Sequence, residues 1–142
     1  MTKKAKSITY KETGVDIHAG NEFVKKLPSI VNSTFDQNVI NGIGDFAALY
    51  SLENEELKNP LLVSACDGVG TKIKLAIDTK NYSGIGQDLV AMNINDLICT
   101  GAKPLFFLDY LSMSKLNIVE HSKVIESIAL ACKKAKVSLI GG

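Results

Sequence analysis

The sequence predicts an α/β fold of the α+β type, with a mixed or antiparallel sheet of about four strands and helices on one face. Two observations carry this expectation. Apolar runs of strand length, bounded by turn residues, stand at FAALYSL (46–52), LLVSACD (61–67), PLFFLDYLS (104–112) and VSLIGG (137–142). Segments with apolar residues at helical spacing precede and separate them. The length of 142 residues and the hydrophobic share of 46% suit one domain with one core.

Residues 1–17 are polar and aperiodic, and read as a flexible arm with a short strand around Ile8 to Tyr10. The domain proper is expected over 18–142. Phe23, Val24, Leu27, Ile30 and Val31 recur at helical spacing behind Asn21 as N-cap, and Pro28 is expected to kink or divide that helix. NGIGD (41–45) is a turn before the first strand, and Pro60 leads into the second. IKLAIDTK (73–80) reads equally as strand or short helix. Between Ser83 and Thr100, Ile85, Leu89, Met92 and Cys99 form one apolar stripe, and Val90, Ile94, Leu97 and Ile98 an adjoining one. A helix apolar over so much of its surface is packed on two sides. Gly101 and Pro104 stop it. Asn117 caps the next helix with Glu120 at the capping-box position, and Ile125, Ile128, Ala129, Cys132 and Ala135 form its buried face.

Composition excludes several roles. A net charge of +1, no Trp and no basic run interleaved with aromatics argue against nucleic-acid binding. No segment approaches the roughly 20 apolar residues of a membrane span, and no secretory leader is visible, so a cytoplasmic location is expected. The cysteines Cys66, Cys99 and Cys132 lie in apolar runs without a CxxC pair and read as buried reduced thiols. Their equal spacing is no repeat, because their neighbours share nothing. His18 and His121 show no ligand spacing and read as surface residues.

The chemistry concentrates in DGVGTK (67–72). It is neither a P-loop nor a dinucleotide fingerprint, since its glycines are too close and Thr and Lys are exchanged. Gly68 and Gly70 still permit close backbone approach to an anion, and Lys72 adds a positive charge. Asp67 would repel a bare phosphate. That conflict disappears if Asp67 binds Mg²⁺, which takes carboxylate and phosphate oxygens together; the alternative is an ordinary turn with a surface acid. NIND (93–96) sets Asn93, Asn95 and Asp96 in an apolar helix, and Asp96 falls on the face of Leu89 and Met92, where burial is expected. A buried carboxylate needs a cation or donors. Asp109, within FFLDY, either lines a site or faces solvent by alternation.

DGVGTK, NIND, DLICTGAKP (96–104) and FFLDY (106–110), in this order and behind YKETGVDIHAGN (10–21), resemble the aminoimidazole ribonucleotide (AIR) synthetase family, also called phosphoribosylformylglycinamidine cyclo-ligase, of purine biosynthesis. The resemblance runs from Tyr10 to Gly142. It implies an ATP-binding N-terminal domain, paired through its sheet in a homodimer and followed by a C-terminal domain. The implied reaction uses ATP to phosphorylate the formyl amide oxygen of formylglycinamidine ribonucleotide, giving an iminophosphate whose ring closure expels phosphate. Carried over by motif, Asp67 and Asp96 hold Mg²⁺–ATP, Lys72 meets a phosphate, and Gly68, Val69, Gly70 and Thr71 form the backbone cradle, with Asn93 as a further cofactor contact. Asp96 and Lys72 are the implied catalytic groups. NGIGDFAAL departs from the family's glycine-rich run. Acids near that place bind metal in the wider superfamily, which makes Asp45 a third candidate ligand. In the family the closing Gly-Gly continues into an acidic segment that lines the site, so a chain ending at Gly142 is expected to be an N-terminal fragment, inactive alone. The alternatives are another superfamily member, of the formylglycinamidine ribonucleotide synthetase or selenophosphate synthetase type, or a non-catalytic dimerisation module.

Overall fold

The computed structural model describes residues 9–44, 47–53 and 58–142. After a 3-10 turn at Tyr10–Thr13 come helix α1 (Ile17–Val31), a second 3-10 turn (Asn32–Thr34), α2 (Lys72–Thr79), α3 (Ile85–Cys99), strand β1 (Phe106–Leu108), α4 (Ile118–Ala135) and β2 (Ser138–Gly141). Tyr10 thus sits in a turn, not in the short strand expected around it.

Local chemistry explains the helix limits. Asp16, not Asn21, caps α1: its carboxylate accepts from the amides of His18 and Ala19 at 3.1 Å each. Pro28 lies inside α1 without dividing it. The missing proline donor frees the carbonyl of Val24, a residue 47% exposed where water can take its place, while the Pro28 carbonyl accepts from Asn32. IKLAIDTK resolves as α2. At the end of α3 the amides of Gly101 and Ala102 close on the carbonyls of Ile98 and Leu97. Asn117 caps α4 as expected, but the reciprocal place belongs to His121, not Glu120: the Asn117 amide donates to His121 Nδ1 at 2.9 Å. His121 is therefore half-buried in a cap and not a plain surface residue.

Among the described residues the sheet has two strands where about four are expected. β1 and β2 are parallel, joined through α4, with Phe106 opposite Ser138, Phe107 opposite Leu139, and an irregularity before the Leu108–Gly141 pair. Of FAALYSL, the described part contributes a single antiparallel bridge, Val39 to Tyr50. Residues 60–69 form no strand; Leu61 is 91% and Leu62 75% exposed. Side-chain pattern marks a segment suited to a sheet, but a ladder also needs a partner, and among the described residues none is beside it.

The core gathers around α4, which packs against both α1 and α3. Val31, Cys132 and Leu139 are fully buried in it. Ala135 is exposed, and Ser127 and Ala131 join the buried face instead. Where α3 crosses α4, the Gly86 amide donates to Ser127 Oγ at 3.0 Å, and that hydroxyl donates to the Ser83 carbonyl at 2.8 Å. At the other end, the amide of Leu139 donates to Thr34 Oγ1 and that of Asp36 to Ser138 Oγ, which ties the turn after α1 to β2.

Only one of the expected buried thiols is buried. Cys66 and Cys99 are exposed, because the segments carrying them are uncovered on that side; Cys132 is buried. Burial, with the charge of Asp109, pushes the Cys132 thiol up to about 12. Iodoacetamide applied to the monomeric chain at pH 8 should modify Cys66 and Cys99 and spare Cys132. Peptide mass mapping checks this, and equal labelling of Cys132 would contradict the packing of α4.

Asp109 stands just beyond β1, half-buried, its amide donating to the Gly141 carbonyl at 3.0 Å. Burial raises its carboxyl above the ordinary range, partly offset by a bond to its own backbone. The native state therefore keeps this proton after the unfolded chain has released it. The stability it contributes is full below the unfolded value of about 3.9 and is lost as pH rises through the raised native value. Asp109→Asn should raise the melting temperature at pH 7, with the gain vanishing towards pH 3. A gain independent of pH would assign the effect to something other than the carboxylate.

Candidate functional site

The site grows from the junction of the extended segment 60–69 with α2. Gly70 has a φ of +68°, the left-handed turn that sends the chain into α2. A Cβ at Gly68 or Gly70 would meet no atom within 4 Å, so the loop lies open on its outer side. Thr71 is the N-cap of α2 but makes no side-chain capping bond. The first amides that close are those of Ile73 and Lys74, on the carbonyls of Gly70 and Thr71. Among the described residues, the amides of Val69, Gly70, Thr71 and Lys72 have no partner. Four consecutive free N–H groups at a helix start suit an anion.

Asp67 opens the loop. Its Oδ1 accepts from the Gly68 amide at 2.8 Å, and its other carboxylate oxygen has no partner among the described residues. Lys72 Nζ pairs with Asp88 Oδ1 at 2.9 Å. With side-chain exposures of 63% and 37%, that pair is worth at most about 1 kcal/mol, so Lys72 can turn to another anion at little cost.

Helix α3 supplies the other side. Its buried face within this chain carries Ile85, Gly86, Val90 and Asn93. The face of Met92, Asp96 and Cys99 is exposed. Asp96 is thus not the buried acid expected from its stripe: that stripe is not covered within this chain, and helical periodicity does not tell which of two apolar stripes is. Asn93 is the buried polar residue, 7% exposed. Its Oδ1 accepts from the Asp67 amide at 2.8 Å, and its Nδ2 donates to the carbonyls of Asp67 at 3.1 Å and Leu89 at 2.9 Å. Both Nδ2 protons are engaged, so the side chain meets the backbone of Asp67 and has no donor left for a ligand. Asp96 follows Asn93 by three positions, about one turn along α3.

The structure therefore brings Asp67, Gly68, Val69, Gly70, Thr71, Lys72 and Asn93 together, with Asp96 on the same helix as Asn93. Asp45 lies outside the described residues. Asp109 belongs elsewhere, its charge reaching Cys132 on α4. The sequence reading missed Asp88, the partner of Lys72; an acid in the first turn of α3 carries no signal that it reaches back 16 residues.

Described His, Cys, Asp and Glu side chains form no group of three or more that could hold a metal. A magnesium ion sharing its shell with phosphates and water needs only one or two carboxylates; Asp67 offers one oxygen without a partner among the described residues. No described helix is long and apolar enough to cross a membrane.

Residues 38–142 match the sequence profile of a family described as AIR synthase related protein, N-terminal domain. The chain is 51% identical over 138 residues to a phosphoribosylformylglycinamidine cyclo-ligase of Desulfatibacillum aliphaticivorans, covering 97% of this chain and 40% of that protein. It is also 51% identical over 134 residues to one of Trichlorobacter lovleyi, covering 94% and 38%. The chain thus spans about two fifths of the length of these curated relatives.

Proposed function

The chain belongs to the AIR synthase related family through its N-terminal domain, and from that membership we propose that it is the nucleotide-binding part of an ATP-dependent cyclo-ligase. The complete enzyme converts formylglycinamidine ribonucleotide to aminoimidazole ribonucleotide. The observation that carries the reading is the row of free amides from Val69 to Lys72, next to a carboxylate of Asp67 that keeps one oxygen unengaged.

Each group then has a task. The four amides donate to phosphate oxygens. Lys72 leaves the exposed Asp88 carboxylate and neutralises phosphate charge. Asp67 and Asp96 hold the metal that accompanies the nucleotide, which supplies positive charge where phosphoryl oxygens crowd during transfer. The phosphoryl group passes to the formyl amide oxygen, an internal nitrogen attacks the activated carbon, and phosphate leaves as the ring closes. The open loop does not exclude water, and water exclusion is what preserves the iminophosphate. Ring closure therefore needs further protein, and this chain alone turns nothing over.

A homodimer belongs to the same proposal. Support comes from the unpaired segment 60–69 and from apolar side chains left in solvent, among them Leu61, Leu62, Leu108 and Tyr110 at 91%, 75%, 57% and 89% exposure. A single monomeric species in sedimentation at micromolar concentration would remove this part.

The central test is a titration of the complete protein with a fluorescent non-hydrolysable ATP analogue, with and without Mg²⁺. Saturable binding that needs Mg²⁺ is expected. Binding absent in Mg²⁺, or indifferent to it, overturns the reading.

A further inference from the structure

We infer that Asn93 is a positioning residue, which holds Asp67 in place by gripping its backbone and so sets the direction of its carboxylate; this rests on the nucleotide-binding reading above.

Residues 60–69 make no hydrogen bond to the rest of the described chain except at Asp67, and both of those bonds come from Asn93. The grip is two-pronged: amide oxygen to N–H, amide nitrogen to C=O. It replaces for one residue what a neighbouring strand would supply for several. Asn93 is itself fixed, since its second Nδ2 proton goes to Leu89 one turn back and the side chain is 7% exposed. Asp67, by contrast, is exposed and flanked by an open glycine. Without the grip its carboxylate would be held only by the bond from the Gly68 amide, a neighbour on the same open loop. Asn suits the task because it offers an acceptor and two donors in one plane. Asp would keep the acceptor and lose the donors.

The inference separates from a merely structural role through its dependence on Asp67. Asn93→Ala, Asn93→Asp, Asp67→Asn and the Asn93→Ala/Asp67→Asn double variant are compared in the complete protein. Hydrogen exchange at the Asp67 amide is read without ligand. The Mg²⁺ concentration for half-maximal binding of the ATP analogue is read with it. Asn93→Ala should speed exchange at Asp67 at least tenfold and raise the half-saturating Mg²⁺ concentration about tenfold. The double variant should need no more Mg²⁺ than Asp67→Asn alone. Asn93→Asp, which preserves the volume, gives the same comparison if Asn93→Ala fails to fold. Unchanged exchange at Asp67, or effects of the two substitutions that multiply in the double variant, would overturn the positioning role while leaving the functional reading intact. An Mg²⁺ requirement unmoved by Asp67→Asn would overturn the functional reading, and this inference with it.

Discussion

Gly86→Ala should lower stability by about 3 kcal/mol or more, a fall in melting temperature on the order of 10 °C. The cause is the crossing of α3 and α4. A Cβ on Gly86 would fall inside the backbone of Ser127 and Ile128, which has no flexible end to move aside. Ile128 is itself in the core, 2% exposed. Relief would require the helices to separate, and separation would break the Ser127 bridge to the Gly86 amide and the Ser83 carbonyl. Gly20→Ala is the internal control. Gly20 is also helical, but a Cβ there meets nothing within 4 Å, so alanine should stabilise by about 0.5–1 kcal/mol through helix propensity. Thermal melts of both variants give opposite signs if packing decides. A Gly86→Ala protein as stable as its parent would mean that the two helices do not approach this closely.

Asp96→Asn should leave the melting temperature nearly unchanged, within about 0.5 kcal/mol, and cut Mg²⁺-dependent turnover of the complete enzyme by about 30- to 1,000-fold, or 2–4 kcal/mol. Asp96 is exposed and makes no hydrogen bond or ion pair among the described residues, so the fold has no stake in its charge. Substitution is then a clean removal of one unit of negative charge about one turn along α3 from Asn93. Had it been buried, a change in stability would have confused the reading. Turnover and melting temperature measured on the same preparation decide the case. Full turnover by Asp96→Asn would end its assignment to the metal.

Helices α1, α3 and α4 were legible in the sequence because their signals are local, whereas α2 read equally as strand or helix. The apolar stripe and cap of α4 lie within its own residues, and so does the stop of α3 at Gly101. Two cap assignments, Asn21 for Asp16 and Glu120 for His121, miss by a few residues; the errors in the sheet and the site fall where the deciding partner is distant in sequence. LLVSACD has the composition of a buried strand, yet Leu61 and Leu62 are among the more exposed residues, since among the described residues no strand lies alongside. Asp96 and Asn93 show the same limit within one helix. Both are polar positions in an apolar segment, and periodicity groups Asp96 with Leu89 and Met92. Which stripe is covered depends on where α4 crosses, and the close approach at Gly86 turns Asn93 inward and Asp96 out. Of the candidate site, the open glycine turn at Gly68 and Gly70 was legible from residue types alone. The grip of Asn93 on Asp67 spans 26 residues and the pairing of Lys72 with Asp88 spans 16, and neither leaves a mark on local pattern.

The link between Thr34 and Leu139 bears on the order in which the chain assembles. Those residues are 105 apart, whereas Leu105 and Ser138, which meet at the edge of the sheet, are separated only by β1, α4 and the segment between them. Loop closure grows as the logarithm of length, so joining the turn after α1 to β2 costs about 1 kcal/mol more than closing β1 on β2. The contiguous unit from α3 to β2 carries the nearer contacts and can form a nucleus first. The N-terminal helix is then expected to dock onto a surface that already exists, with low φ-values at its hydroxyl contacts through Thr34 and Ser138.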